Sequence, residues 1–192
     1  MIRAISDWLY RYTNRYTIVP VAILFLLHVF VILPGESDVD RIVGTGGGIL
    51  QYFRWFIYSP DDFYRVLTEI GADGRQAFID HRIIKANIFI FSIGSFFSIV
   101  SGALLLQSTG DANPLRRLNV IGLIPAFCDV VENHVQMLLV SVYPERYDGV
   151  VIIITTFTAV KWITLFASTL IFLGAAIAAI ISLFLRVLKT QN

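Results

Sequence analysis

The chain has 192 residues, of which 56% are hydrophobic and 15% are charged, with a formal net charge of +1 at pH 7. Soluble domains are on average about 45–50% apolar and about 25% charged, so this composition favours an integral membrane protein. The near-neutral charge gives no reason to expect a nucleic acid as a partner. Because the chain contains a single cysteine, an intrachain disulfide and a Cys-x-x-Cys redox motif are excluded.

Arginine residues precede the first long apolar stretch, and Pro34 ends it. The residues after Leu33 do not form the small-x-small motif of a cleaved leader, so we interpret the stretch as an uncleaved signal anchor. It covers about residues 18–33, close to the shortest length that crosses a bilayer. Three more apolar stretches follow, at about residues 83–107, 118–142 and 150–188. The sequence therefore predicts an all-α fold, an integral membrane four-helix bundle in a single transmembrane domain, residues 1–192.

The distribution of charged residues predicts the orientation of these spans. The N-terminal segment, the loop between the second and third spans, and the C-terminal end carry arginines and lysines with few acids. The first loop, residues 34–82, contains eight acids. Because basic residues concentrate on the cytoplasmic side of a membrane, both termini are expected in the cytoplasm and the 34–82 loop outside it.

The first extracytoplasmic loop is too long to be a simple connector. Its dense aromatic residues, from Tyr52 to Tyr58, are typical of a segment that lies in the membrane interface. Ser59 is the expected N-cap of a helix, Pro60 its first residue, and apolar residues then recur with helical spacing until Gly71. We predict a short amphipathic helix that caps the bundle or acts as a gating lid.

Polar residues form a stripe on the third predicted span, which is otherwise apolar. At about 100° per residue, Asp129, Glu132, Asn133 and Gln136 share one face of the helix. His134 points away from that face. Insertion scales put the cost of a charged side chain at mid-bilayer at roughly 2.5–3.5 kcal/mol. Two acids on one face therefore need partners or bound protons.

Lys161 in the fourth predicted span is the expected partner of the two acids. The loop between the third and fourth spans is short, so these helices are expected to be antiparallel neighbours. Counting about 1.5 Å per residue from that loop puts Lys161 at the depth of the acids. One lysine cannot balance two carboxylates, which favours a functional site, but a structural ion-pair latch stays an alternative. The predicted ligand-binding residues are Asp129, Glu132, Asn133, Gln136 and Lys161.

Three further residues are regarded as accessory to this site: Thr158, His28 and His134. Thr158 shares the side of the fourth span that carries Lys161. The histidines show no zinc-site spacing, so no metal site is predicted. A haem held by His28 and His134 would need ligands at one depth, but theirs differ by roughly 5–10 Å along the helical rise. We therefore predict no cofactor.

Several short patterns resemble those of small bacterial four-span membrane proteins. They are Pro125-x3-Asp129-x2-Glu132-Asn133, Tyr143-Pro144-Glu145, Tyr64-x6-Gly71-x2-Gly74-Arg75, and Lys161 in the next span. The architecture is also similar to that of the emopamil-binding/sigma-2 family, whose four or five spans enclose a sterol-sized cavity with buried carboxylates. That family distributes its acids over different helices, whereas both acids lie on one helix here. The resemblance implies a multi-pass protein of the bacterial inner membrane and an acidic cavity, without assigning a role to any residue.

These features predict a polytopic membrane protein that binds a lipid-like or small amphipathic ligand at a buried carboxylate/lysine site, under the 59–71 helix. Two alternatives use the same residues. A membrane isomerase would use a protonated carboxyl group as an acid on a lipid. A structural subunit of a larger membrane complex, for example a respiratory one, would turn its polar face to a partner. The expected partners are membrane lipid, another membrane protein or a second copy of the chain.

Overall fold

The computed structural model describes residues 1–32, 58–83, 87–109 and 113–190. All regular secondary structure within these ranges is helical, which confirms the predicted all-α class. The predicted interfacial aromatic segment lies outside the described residues, except for Tyr58.

The helices follow one another along the chain and are numbered in that order. They are α1 (Ile2–Arg11); α2 (Arg15–Leu27), prolonged by a π-helical segment (His28–Ile32); α3 (Pro60–Glu69); α4 (Gly71–His81); α5 (Asn87–Ser95), which continues through a π-helical segment (Phe96–Val100) into α6 (Ser101–Thr109); a 3-10 segment (Pro114–Gly122) that leads into α7 (Leu123–Ser141); and α8 (Asp148–Thr190). The second, third and fourth predicted spans therefore fall on α5–α6, on the 3-10 segment with α7, and on α8.

Three continuous helical stretches are long and apolar enough to cross a membrane: Phe91–Thr109, Pro114–Ser141 and Asp148–Lys189. The first predicted span, residues 18–33, belongs instead to a bent pair formed by α1 and α2, whose axes differ by 98°. If this pair counts as one span, the described part of the chain has four. These helices agree with a multi-pass membrane protein.

The helix of the first predicted span begins at Arg15, earlier than the apolar pattern indicates. Asn14 Oδ1 accepts a hydrogen bond from the backbone N–H of Tyr16 at 2.9 Å. Such a cap satisfies one of the N–H groups that the first turn of a helix leaves unpaired. Pro20 consequently lies inside α2, beyond its first turn.

The chain divides into two compact units, each assembled from separate stretches of sequence. The first unit contains Met1–Phe25, Ser92–Pro125 and Thr164–Asn192. The second unit contains Leu26–Phe91 and Ala126–Ile163. The helices α7 and α8 contribute residues to both.

In the first unit, the 3-10 segment packs closely against the π-helical segment that precedes α6. A Cβ atom added to Gly122 would come within 2.8 Å of Phe97 Cβ, so this contact requires a glycine. Ser6 Oγ of α1 donates a hydrogen bond to Asn119 Oδ1 at 2.9 Å, and both residues are buried. These contacts attach both the π-helical segment and α1 to the segment that leads into α7.

In the second unit, α3 packs through its apolar side on α7 and α8. Phe63 and Leu67 of α3 are fully buried, together with Val151 and Ile154 of α8. Burial of side chains of this size contributes roughly 1.5–3 kcal/mol each. The structure therefore contains the amphipathic helix that the apolar spacing predicts.

The ends of α3 follow the sequence signals as well. Ser59 Oγ accepts a hydrogen bond from Asp62 N at 3.1 Å, and the Asp62 carboxylate accepts one from Ser59 N at 3.3 Å. This reciprocal pair is a capping box. Gly71 has a φ of +67°, which favours glycine and separates α3 from the next helix. The chain then continues directly into α4, which the sequence did not predict.

Candidate functional site

Four polar residues of α7 lie on one face of the helix and are buried. Asp129, Glu132, Asn133 and Gln136 are spaced by three or four positions, which puts their side chains on the same side of an α-helix. Counted as whole residues, none of them is more than 5% exposed. The structure therefore brings together the polar stripe that the sequence predicts.

Lys161 of α8 lies between the two carboxylates. Its Nζ atom is 2.8 Å from Asp129 Oδ1 and 2.6 Å from Glu132 Oε2. The side chains of Lys161, Asp129 and Glu132 are 11%, 7% and 0% exposed. Removing the lysine alone would leave two carboxylates without this counterion in a place that water hardly reaches.

The second oxygen of each carboxylate is held by an amide one helical turn further along α7. Asn133 Nδ2 donates to Asp129 Oδ2 at 2.9 Å, and Gln136 Nε2 donates to Glu132 Oε1 at 3.2 Å. The sequence spacing explains this arrangement, because residues four apart are neighbours on a helix surface. We call these five residues, Asp129, Glu132, Asn133, Gln136 and Lys161, the polar cluster.

Arg82, which caps the C-terminal end of α4, adds a second cation to the polar cluster. Its Nη1 atom donates a hydrogen bond to Asn133 Oδ1, and its guanidinium group lies 5.0 Å from the centre of the Phe78 ring. Arg82 is therefore a basic side chain beside the cluster that is hydrogen-bonded to the Asn133 amide and, within the described residues, to neither carboxylate. The loop position of Arg82 gave no signal of this contact.

Tyr58 is a second residue of the site that sequence reasoning missed. Its hydroxyl group accepts a hydrogen bond from Gln136 Nε2 at 3.0 Å, and its backbone oxygen accepts one from Thr155 Oγ1 at 3.0 Å. Burial, and then the nearby Glu132 carboxylate, raise the pKa of the Tyr58 phenol. The phenol therefore keeps its proton at neutral pH and can donate a hydrogen bond. The sequence alone presents Tyr58 only as one of several aromatic residues of the predicted interfacial segment.

The three accessory residues occupy different surroundings. Thr158 is fully buried on α8 and donates its hydroxyl hydrogen to Ile154 O at 3.1 Å. His28 is fully buried in the second unit. His134 is exposed, and its Nδ1 atom lies 2.8 Å from Val130 O. The exposure of His134 agrees with the helical periodicity of the sequence, which puts this residue away from the polar face.

Two surface pockets lined by described residues lie elsewhere in the molecule. One of about 300 Å³ is bordered by Tyr64, Thr68, Tyr143 and Arg146 in the second unit, and one of about 520 Å³ lies along α8 in the first unit. Neither is lined by a member of the polar cluster. Among the described residues, no group of three or more His, Cys, Asp or Glu side chains is arranged to hold a metal ion.

The arrangement can hold a polar group in an environment that is nearly free of water. It offers amide and phenol groups that donate and accept, beside two carboxylates and the lysine that contacts both of them. Comparison of the chain with protein-family models, with curated proteins and with solved structures gave no match.

Proposed function

We propose that this protein binds a lipid-like or small amphipathic ligand within the membrane, with the polar head of the ligand at the polar cluster. The observation that carries this proposal is the side-chain oxygen of Gln136. It is fully buried and has no hydrogen-bond partner among the described residues. An unpaired buried acceptor costs about 1–3 kcal/mol, so a ligand group that donates to it would gain affinity.

The neighbours of Gln136 favour a neutral polar head over a charged one. Arg82 Nε is a buried donor that also has no hydrogen-bond partner among the described residues. Lys161 already contacts both carboxylates of the cluster, and Arg82 adds a basic side chain beside them. A hydroxyl group, which both donates and accepts, therefore suits the site better than an ammonium or a phosphate group. Lipids with a free alcohol have this chemistry.

The experiment is to identify small molecules that remain bound to the protein after purification in mild detergent. We expect organic extraction and mass spectrometry to recover a lipid-like molecule at about one copy per chain. Gln136→Met keeps the side-chain volume and removes the unpaired oxygen, so it should lose most of this molecule. His134→Met, on the exposed side of the same helix, is the matched control and should retain it.

A second variant tests the charges of the site. Lys161→Met combined with Asp129→Asn and Glu132→Gln removes all three charges together and should fold, as judged by circular dichroism, yet lose the molecule. Retention of the molecule by both this variant and Gln136→Met would overturn the proposal. Recovery of a protein in fixed ratio, with no enriched lipid, would also overturn it and would support the structural alternative.

One observation is compatible with that alternative, a structural subunit of a larger membrane complex or a homo-oligomer. In the most apolar part of α8, only 11% of the residues are buried inside the described structure. Phe166, Ile177, Ile180 and Phe184 are each more than half exposed. A membrane helix with so much free apolar surface can pack against lipid or against a partner helix. Cross-linking in native membranes distinguishes a partner helix from lipid, because only a protein partner gives a cross-linked protein product.

A further inference from the structure

A second pocket of the molecule has the chemistry of a membrane interface. It lies in the first unit between the end of α6 and the C-terminal part of α8, and its volume is about 520 Å³. Its polar side is formed by Arg186, Lys189, Ser108 and Ser182. Among the described residues that line it, there is no carboxylate. The pocket therefore carries two uncompensated positive charges beside two hydroxyl groups.

The other side of this pocket is apolar. Ala178, Ile181 and Leu185 line it along successive turns of α8, and Ile181 and Leu185 are 54% and 53% exposed. A free inorganic anion would gain no binding free energy from these apolar side chains. A molecule with a negative head and an acyl chain matches both sides, because the head meets the cations while the chain covers the aliphatic side chains.

The position of the two cations along α8 fits the boundary of a bilayer. Residues 162–185 form a run of 24 residues without a charge, between Lys161 and Arg186. At about 1.5 Å per residue, the 38 residues of α8 from Asp148 to Leu185 rise about 57 Å, which exceeds a hydrocarbon core of about 30 Å, so the C-terminal end of the helix reaches the membrane surface. Arg186 and Lys189 follow at its end, where long basic side chains reach the head groups of the lipids.

The contacts of the two cations leave them available to a ligand. Arg186 Nη2 donates to Gln107 O at 3.2 Å, which aligns the guanidinium group and uses one of its five N–H donors. Both Arg186 and Lys189 are exposed. Lys189 has no ion-pair partner among the described residues. Both side chains can therefore contact one phosphate group.

We propose that this pocket binds an anionic glycerophospholipid of the surrounding membrane. The phosphate group lies against Arg186 and Lys189, with the hydroxyl groups of Ser108 and Ser182 beside it, and one acyl chain follows Ala178, Ile181 and Leu185. Basic pockets beside membrane helices are typical sites for acidic lipid head groups. This site shares no residue with the polar cluster and stands whether or not the cluster binds a ligand.

The test is a titration of the full-length protein in neutral detergent with dioleoyl phosphatidylglycerol and, separately, dioleoyl phosphatidylcholine, followed by native mass spectrometry. We expect a saturable adduct of one phosphatidylglycerol per chain and weaker, unsaturated binding of phosphatidylcholine. Arg186→Gln with Lys189→Gln should weaken phosphatidylglycerol binding by roughly 30-fold, since each basic residue near an anionic lipid contributes about a fivefold change.

The matched control removes two positive charges elsewhere in the same unit. Arg11→Gln with Arg117→Gln makes the same change in net charge at two exposed residues and should leave the affinity within about twofold of the wild type. If this control weakens binding as much as the pocket variant, or if the pocket variant binds like the wild type, the proposal is wrong.

A third variant separates a lipid from a free phosphate. Ala178→Phe fills the apolar wall and keeps both cations, so it should weaken phosphatidylglycerol binding while the thermal midpoint stays near that of the wild type. Inorganic phosphate and glycerol phosphate should fail to displace the lipid. If they displace it at millimolar concentrations and Ala178→Phe has no effect, the pocket is a phosphate site and the assignment to a lipid is overturned.

Discussion

Lys161 Nζ lies 2.6 Å from Glu132 Oε2, and this contact joins α8 to α7 through side chains that are 11% and 0% exposed. Because both side chains are buried, Lys161 and Glu132 each need the other as a counterion. A buried charge that loses its counterion keeps the cost of its own desolvation and gains nothing in return. The contact is therefore a sensitive point for the stability of the second unit.

Lys161→Met should lower the free energy of unfolding by about 3–5 kcal/mol, because it leaves Asp129 and Glu132 without their shared counterion. Chemical unfolding in detergent, followed by circular dichroism, measures the change. Adding Asp129→Asn and Glu132→Gln should recover most of the loss, since no charge then remains on these three side chains. A triple variant no more stable than Lys161→Met would contradict this account.

Arg82→Met should also destabilise the protein, but less than Lys161→Met. The guanidinium group approaches the acids through Asn133 and has no carboxylate among its contacts within the described residues. Arg65→Met is the control, because Arg65 pairs with Asp62 and Glu69 at the surface of α3. Exposed pairs contribute only about 0–1 kcal/mol. The expected order of destabilisation is Lys161, then Arg82, then Arg65, and any other order argues against a contribution of the Arg82–Asn133 contact to stability.

Gly122→Ala should destabilise the first unit by about 1–3 kcal/mol, the usual cost of overpacking. The new Cβ would lie 2.8 Å from Phe97 Cβ and 2.9 Å from the backbone of Ser98, and a backbone cannot move aside cheaply. Gly174→Ala on α8 is the control, because its Cβ would meet nothing within 4 Å. There alanine should stabilise the helix by up to about 1 kcal/mol. If Gly122→Ala and Gly174→Ala shift the thermal midpoint in the same direction, the packing argument is wrong.

Ser59→Ala should lower the stability of α3 by roughly 0.5–2 kcal/mol, through loss of the capping box. The Ser59 hydroxyl, and then Arg65, hold the pKa of Asp62 below its ordinary value. A carboxyl group with a depressed pKa stabilises the folded state above its ordinary pKa, and this contribution is lost as the pH falls through the folded value. The effect of Ser59→Ala should therefore be larger at neutral pH than in strong acid, as unfolding experiments at the two pH values can show.

The orientation predicted from the charges can be tested by cysteine labelling in a Cys128→Ser background. A cysteine at Ser37 or Asp148 should react with an impermeant maleimide in intact cells, and one at Gln191 should react only after the membrane is opened. The physical reason is the excess of basic residues on the side of the termini. If only the cysteine that replaces Gln191 is labelled in intact cells, the orientation is the reverse of the predicted one.

Local patterns in the sequence were sufficient for the bounds of α3 and for the polar stripe of α7. The capping of α3 by Ser59, the turn at Gly71 and the shared face of Asp129 and Glu132 all depend on residues within four positions of each other. Helical periodicity sets these relationships before any packing occurs. The depth of Lys161 was also predictable, because a short loop and a constant rise relate α7 to α8.

Tertiary structure alone decided which distant side chains complete the site. Arg82 reaches Asn133 across 51 positions of sequence, and Tyr58 reaches Gln136 across 78. Periodicity shows which face of a helix a residue occupies, but it does not show which other segment meets that face. That meeting depends on how α3 and α4 bury their apolar sides against α7 and α8, a collective result of packing that no local pattern contains. For this reason the sequence determined the acids and the lysine, and the packing supplied the second cation and the phenol.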